Sequence, residues 1–206
     1  MRKKCCAIHL VEYGSGMEPR RNLHDAAHLR VLAHPTRLRL LGLLRELGPQ
    51  TAAGLAEHVD EAPGTLSYHL AKLAEAEFIE QDPRPGSDRR ERWWRASQDQ
   101  TVWDDADFAS DPEKYKVAKD FYRILWQHYA RQYEAYVESM PQLDRQWVEG
   151  AVSSDRRLRL TAEQLHELRD DFHALEEKWV KTSAEHAPGD GSEEVFLLLQ
   201  AFRRAK

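Results

Sequence analysis

Leucines set the rhythm of the first hundred residues. Asn22 can cap a helix that runs to about Ala33, where His34-Pro35 breaks it. From Thr36 onward, Leu40, Leu41, Leu44 and Leu47 recur at three- and four-residue intervals, until Gly48-Pro49 ends the run. Thr51 can cap a short third helix holding Leu55, Ala56 and Val59. Pro63 suits the first turn of a fourth, in which Leu66, Leu70 and Leu73 share one face. The period then changes. Residues 78–82 (FIEQD) and 91–97 (ERWWRAS) are β-prone and flank the turn-rich PRPGSDRR, which describes a hairpin. Three helices, a tight turn, a fourth helix and a hairpin make the layout of a winged helix-turn-helix over residues 22–97.

The second half reads differently. Residues 98–111, with Asp99, Asp104, Asp105 and Asp107, form an acidic linker. Asp111-Pro112 is a cap and first-turn pair for a long helix reaching to about Met140, stopped by Pro141. A short helical stretch over residues 143–149 follows, then RRLRL (156–160), a candidate strand. Thr161 and Gln164 make a capping box for another long helix, with Leu165, Leu168, Phe172, Leu175 and Trp179 in three-four spacing. EVFLLLQAF (194–202) reads as a buried strand. The predicted class is mainly α (α+β). It comprises a flexible tail over 1–21, the winged domain, the linker, and a helical domain over 112–206 with a small two-stranded β element.

Composition narrows the function. The chain has 206 residues, 41% hydrophobic and 32% charged, with a formal net charge of −5. The charge is unevenly spread. Residues 20–97 carry 12 basic against 11 acidic side chains, whereas residues 98–206 carry 15 against 22. The acidic half would be repelled by nucleic acid, and the near-neutral half with its arginine clusters can approach it. No apolar run approaches the roughly 20 residues of a membrane span, and the opening residues lack the apolar stretch of a secretory signal. Met17 is a candidate natural start. Cys5 and Cys6 are adjacent and staple nothing across the fold, which suits a reduced, cytoplasmic setting.

No catalytic constellation is present, so an enzyme is not expected. Residues 14–16 (GSG) and the PGDG over 188–191 do not join a strand to a helix as a phosphate loop must. Neither a cofactor nor a metal is expected. His166, Asp170, His173 and Glu177 share a helix face, but it lies opposite the apolar stripe, as the polar face of any amphipathic helix does. Cys5, Cys6 and His9 fall in the tail.

The stretch LAHPTRLRLLGLL followed by LAEHVDEAPGTLSYHLAKLAEAEFIE resembles the ArsR-like winged-helix regulators, named for arsenical resistance. More narrowly, it resembles the two-domain actinobacterial type, with LTAEQLHEL near Leu160 similar to its C-terminal part. The resemblance covers about residues 27–97 and implies a homodimer acting on double-stranded promoter DNA, more often as repressor than activator. It does not identify an effector.

Beside the resemblance, helical geometry turns Gly64, Thr65, Tyr68, Ala71, Lys72 and Glu75 outward and leaves Ser67 and His69 at the boundaries. Gly64, Thr65, Ser67, Tyr68, His69 and Lys72 are candidate DNA contacts in the major groove. Thr51 can add a phosphate contact, and Arg84, Arg89 and Arg90 at the hairpin tip can reach phosphate or a minor groove. Two departures from the family pattern matter. Asp60 stands where the turn commonly has Gly, and Ala62, Pro63 and Gly64 stand where the recognition helix often begins with Ser and polar residues. On the long helix, Val117, Phe121, Ile124 and Leu125 make an aliphatic face. Tyr122, Trp126, Tyr129, Tyr133 and Tyr136 make an aromatic stripe, the candidate dimerisation surface. Two other readings stay open: a winged-helix protein-interaction module without DNA binding, and a sensor whose small-molecule or metal effector controls the dimer.

Overall fold

The computed structural model describes residues 6–9, 20–23, 26–83, 92–98, 100–187 and 189–205. Strands β1 (Cys6–His9) and β2 (Arg20–Leu23) precede helices α1 (Ala26–Leu32) and α2 (Pro35–Glu46). A two-residue strand β3 (Gln50–Thr51) leads into α3 (Ala52–Ala56) and α4 (Pro63–Glu75). Then come β4 (Ile79–Gln81), β5 (Trp93–Ala96), β6 (Gln100–Trp103), α5 (Asp105–Ala109) and the long α6 (Pro112–Ser139). A 3-10 turn at Met140–Gln142, α7 (Arg145–Gly150) and α8 (Ala162–Ser183) complete the order. The chain divides into two units, one reaching to Arg131 and one of Gln132–Lys206.

Helix α2 lies at the centre of the first unit. Leu38, Leu40, Leu41, Gly42, Leu43 and Leu44 are all buried, so α2 is covered on several sides rather than along one stripe. Leu29 and Leu32 of α1, Leu55 of α3, and Leu66, Leu70 and Leu73 of α4 pack into the same core. Phe78, Ile79 and Trp94 close it from the hairpin. The predicted hairpin is present: β4 and β5 pair antiparallel, Ile79 opposite Ala96, and β3 adds to the far edge of β5.

A second three-stranded sheet occupies ground expected to be tail and linker. β6 runs between β1, antiparallel, and β2, parallel. Asn22 therefore lies in β2 instead of capping a helix, and α1 begins at Ala26. Two buried contacts fasten this region. Arg45 of α2, fully buried, donates from Nε to the Gln98 carbonyl (3.0 Å) and from Nη2 to Thr101 Oγ1 (2.9 Å). Trp103 packs edge-on to Phe121 of α6, ring centroids 5.3 Å apart. The core thus extends through Phe108, Ala118, Phe121 and Leu125, so the first half of α6 belongs to the N-terminal unit. Asp111 starts α6 as expected, its carboxylate accepting from the amides of Glu113 (2.9 Å) and Lys114 (3.1 Å).

In the second unit the capping box is present. Thr161 Oγ1 accepts from the Gln164 amide and Gln164 returns a bond to the Thr161 amide. The two expected strands are not. Residues 156–160 and 194–202 form neither helix nor strand.

His128 is 7% exposed, and its Nε2 has no hydrogen-bond partner. Burial first, then Arg131 and Arg39, lower its pKa from 6.5 to about 4. The unfolded chain takes up the proton first, so this contribution is whole above about pH 6.5 and is lost as pH falls to about 4, at most about 3 kcal/mol. His128→Leu is expected to reduce the acid-induced loss of stability over that window, read as urea midpoints across pH; an unchanged pH dependence contradicts this account.

Candidate nucleic-acid interface

Helix α4 presents two distinct faces. Leu66, Leu70 and Leu73 are at most 1% exposed, and Gly64, Thr65, Ser67, Tyr68 and Ala71 face solvent. Tyr68 is the one large side chain among the outward residues, 57% exposed. Lys72 is half-exposed, its Nζ 2.6 Å from Glu75 Oε2 and 6.0 Å from the Tyr68 ring centroid. The carboxylate raises the Lys72 pKa chiefly through that hydrogen bond, so the ammonium is firmly charged but shares its charge with Glu75.

His69, a candidate contact by sequence, points the other way. It is 4% exposed and packs on His34, ring centroids 4.4 Å apart. A position at the face boundary is thus turned inward, against the residue that precedes α2. Both pKa values are lowered, by burial first and then by Arg37. Two neutral rings thus support α4 from beneath Tyr68. Arg37 itself is structural, donating to the carbonyls of Val31 and Arg30.

The entry to α4 is shaped by its neighbours. Ala62 offers no side-chain cap, and Pro63 occupies the first turn. Asp60 is not in a left-handed conformation; the non-glycine residue with positive φ among the described residues is Glu77, at 57°. The α3–α4 connection is long enough to turn without that strain, and the demand falls instead where α4 stops. There the Phe78 amide bonds the Leu73 carbonyl and the Glu77 amide bonds the Ala74 carbonyl, both 2.9 Å, with Phe78 and Leu73 in the core. This motif sets the direction in which the chain leaves α4 for the wing.

Thr51 Oγ1 accepts from the Gly54 amide (3.1 Å), which places the threonine at the start of α3 beside the outward face of α4. A cleft of about 430 Å³ opens between these helices and the wing, lined by Thr51, Ala53, Ser67, Ala71, Arg92 and Trp94 among others. Arg92 was missed by sequence reasoning; its signal is its place at the foot of β5, beside Trp93 and Trp94. Arg84, Arg89 and Arg90 lie outside the described residues.

Residues 32–82 match a helix-turn-helix domain family. The match runs from the end of α1 through β4 and includes the whole of α2, α3 and α4. Among solved structures, one described as a possible transcriptional regulator for arsenical resistance is similar, with 29% identity over 48% of this chain and 84% of that chain, and a TM-score of 0.30. No curated protein matches the chain.

Outside the winged helix-turn-helix, the aromatic residues of α6 separate into two groups. Tyr122 donates to Asp105 Oδ1 (2.5 Å), and both Tyr122 and Tyr129 pack on the core of their own chain. Trp126 and Tyr133 stand 55% and 57% exposed, and Tyr136 is half-buried. His166, Asp170, His173 and Glu177 form no cluster: among the described residues no three His, Cys, Asp or Glu side chains converge as metal ligands. Among the described residues, no helix is long and apolar enough to cross a membrane.

Glu77→Gly is expected to raise the stability of the winged helix-turn-helix by about 1 kcal/mol, because glycine adopts the left-handed conformation without the side-chain clash. Chemical denaturation measures this, and a loss of stability would show that the Glu77 side chain outweighs the backbone strain.

Proposed function

We propose that this chain is a DNA-binding transcriptional regulator that acts as a homodimer, with α4 entering the major groove. The observation that supports it most is the outward face of α4. Thr65, Ser67, Tyr68, Ala71 and Lys72 are small, hydroxylated or basic, and exposed against a rigid leucine-packed back. Thr65, Ser67 and Tyr68 have the hydrogen-bonding groups that read base edges, and Lys72 and Arg92 suit phosphate. The cleft between α3, α4 and β5 leaves room beside the helix for a phosphate strand. Repression, as opposed to activation, rests on the family resemblance alone.

The homodimer rests on α6. Tyr115, Trp126, Tyr133 and Val137 are all exposed, and at 100° per residue they fall within a band about 40° wide. They span about 33 Å of helix at 1.5 Å per residue. A narrow apolar seam of that length is what a second helix covers in a symmetric pair. A dimer would bring two recognition helices to successive turns of one DNA face, about 34–36 Å apart.

Binding to promoter fragments at two salt concentrations tests the reading. Affinity is expected to fall steeply with salt, and salt-insensitive or absent binding would leave the winged helix as a protein-interaction module. Lys72→Ala is expected to weaken binding to all sequences alike, and Tyr68→Ala to change sequence preference, by about 1–3 kcal/mol at the affected position. Equal effects of both on every sequence contradict the division of roles. Glu75→Gln, which releases Lys72, is expected to tighten binding and steepen its salt dependence by up to about one phosphate's worth. Trp126→Ala is expected to move sedimentation toward monomer, and an unchanged mass would remove the α6 seam from the interface.

A further inference from the structure

The outward face of α4 rests on a stack of rings that continues into the protein. Tyr68 meets the His69 ring at 65°, centroids 5.4 Å apart, and His69 lies in turn on His34, centroids 4.4 Å apart and planes inclined by 44°. Exposure falls steeply along the stack, from 57% at Tyr68 to 4% at His69. The Nδ1 atoms of both imidazoles are buried and have no hydrogen-bond partner. Buried polar atoms are normally satisfied, and each exception calls for a reason. A stack that served packing alone would need no imidazole.

The stack also joins separate elements. His34 is the residue before α2, and His69 lies in the middle of α4. Thr36 Oγ1 donates to Glu61 Oε1 (3.0 Å), which ties the start of α2 to the connection that leads into α4. The charges that face the two rings are Arg37 from α2 and Glu61 from that connection. From α1 come the main-chain carbonyls of Val31 and Arg30, both taken by Arg37. From α4 comes Tyr68, with Lys72 Nζ 6.0 Å from its ring centroid. One cation and one carboxylate balance while both rings are neutral. A proton on either ring adds a second cation beside Arg37, where burial already disfavours charge.

We propose that His69 and His34 are positioning residues for Tyr68, a stacked pair that sets where the phenol meets a base edge and that gives way when either ring takes a proton. The role rests on the DNA reading proposed above and identifies what aims its largest reading side chain. Burial first, and then Arg37, holds both imidazoles below their ordinary pKa of 6.5. A displaced, water-exposed imidazole returns to that value, so acid favours the displaced arrangement. The seat is whole above about pH 6.5 and weakens as pH falls below it, by at most about tenfold per ring between pH 7.5 and 5.5. Sequence discrimination is therefore acid-labile. Phosphate-driven affinity, carried by Lys72 and Arg92, is not.

Two measurements test this, one with DNA and one without. A duplex selected from a random pool at pH 7.5 and a scrambled duplex are bound at fixed salt from pH 7.5 to 5.5, and the ratio of the two affinities cancels any loss of folded protein. For the unaltered chain the ratio is expected to fall about tenfold, while binding of the scrambled duplex holds or strengthens. His34→Phe with His69→Phe keeps two stacked rings that take no proton, and is expected to hold the ratio constant. A pH-independent ratio in the unaltered chain, or an equal fall in the variant, would overturn the role. In the free, unaltered chain, the His34 and His69 ring resonances are expected to titrate below pH 6.5, and those of the Tyr68 ring to move with the same midpoint. Tyr68 resonances that stay fixed while the imidazoles titrate would overturn it whether or not the variant folds. Failure to enrich any duplex at pH 7.5 would contradict the DNA reading itself, whereas a pH-independent ratio with an enriched duplex in hand would leave that reading intact.

Discussion

Everything in the N-terminal unit depends on one requirement: α2 must be covered on several sides. A helix with Leu38, Leu40, Leu41, Leu43 and Leu44 all buried cannot lie on a surface. Burying a leucine contributes roughly 1.5–3 kcal/mol, so the five together outweigh any single hydrogen bond in the domain. That requirement draws α1, α3 and α4 inward by their leucine faces and leaves the opposite face of α4 free for Thr65, Ser67 and Tyr68. It also draws in the charged end of α2. Arg45 enters the core and donates there to the Gln98 carbonyl and Thr101, which ties the strand after the wing to the helix at the centre. The outward face of α4 is a by-product of how the other face is buried.

Much of this was legible beforehand. Four helices and a hairpin follow from the spacing of leucines, the Pro and Gly punctuation, and the change of period after Phe78. The inward set of α4 and both later caps, at Asp111 and Thr161, also stand where periodicity and capping chemistry put them. What escaped has a common cause, namely contacts between residues distant in sequence. Residues 6–9, 20–23 and 100–103 carry no signal of their own as a sheet; each becomes a strand only through the others. His69 lies at the edge of the helical face, and its inward packing on His34 joins residues 35 positions apart. The aromatic stripe of α6 reads as one surface, yet Tyr122 and Tyr129 are taken up by their own chain while Trp126 and Tyr133 are left outside.

The C-terminal unit shows the opposite relation. Two β-prone stretches, 156–160 and 194–202, form neither helix nor strand there. On α6, the exposed Trp126 and Tyr133 are the side chains that the proposed homodimer would cover. In the proposed homodimer each winged helix-turn-helix would read one half-site. Pairing through α6 would fix where the second reader lies, and the spacing of two domains would offset weak base-reading at Ala62, Pro63 and Gly64.

Selection of bound sequences by this chain from a random pool of double-stranded DNA tests homodimeric DNA reading. An enriched inverted repeat is expected, its half-sites centred about one helical turn apart, near 34–36 Å. No enrichment, or enrichment of a single half-site without a spaced partner, would contradict it.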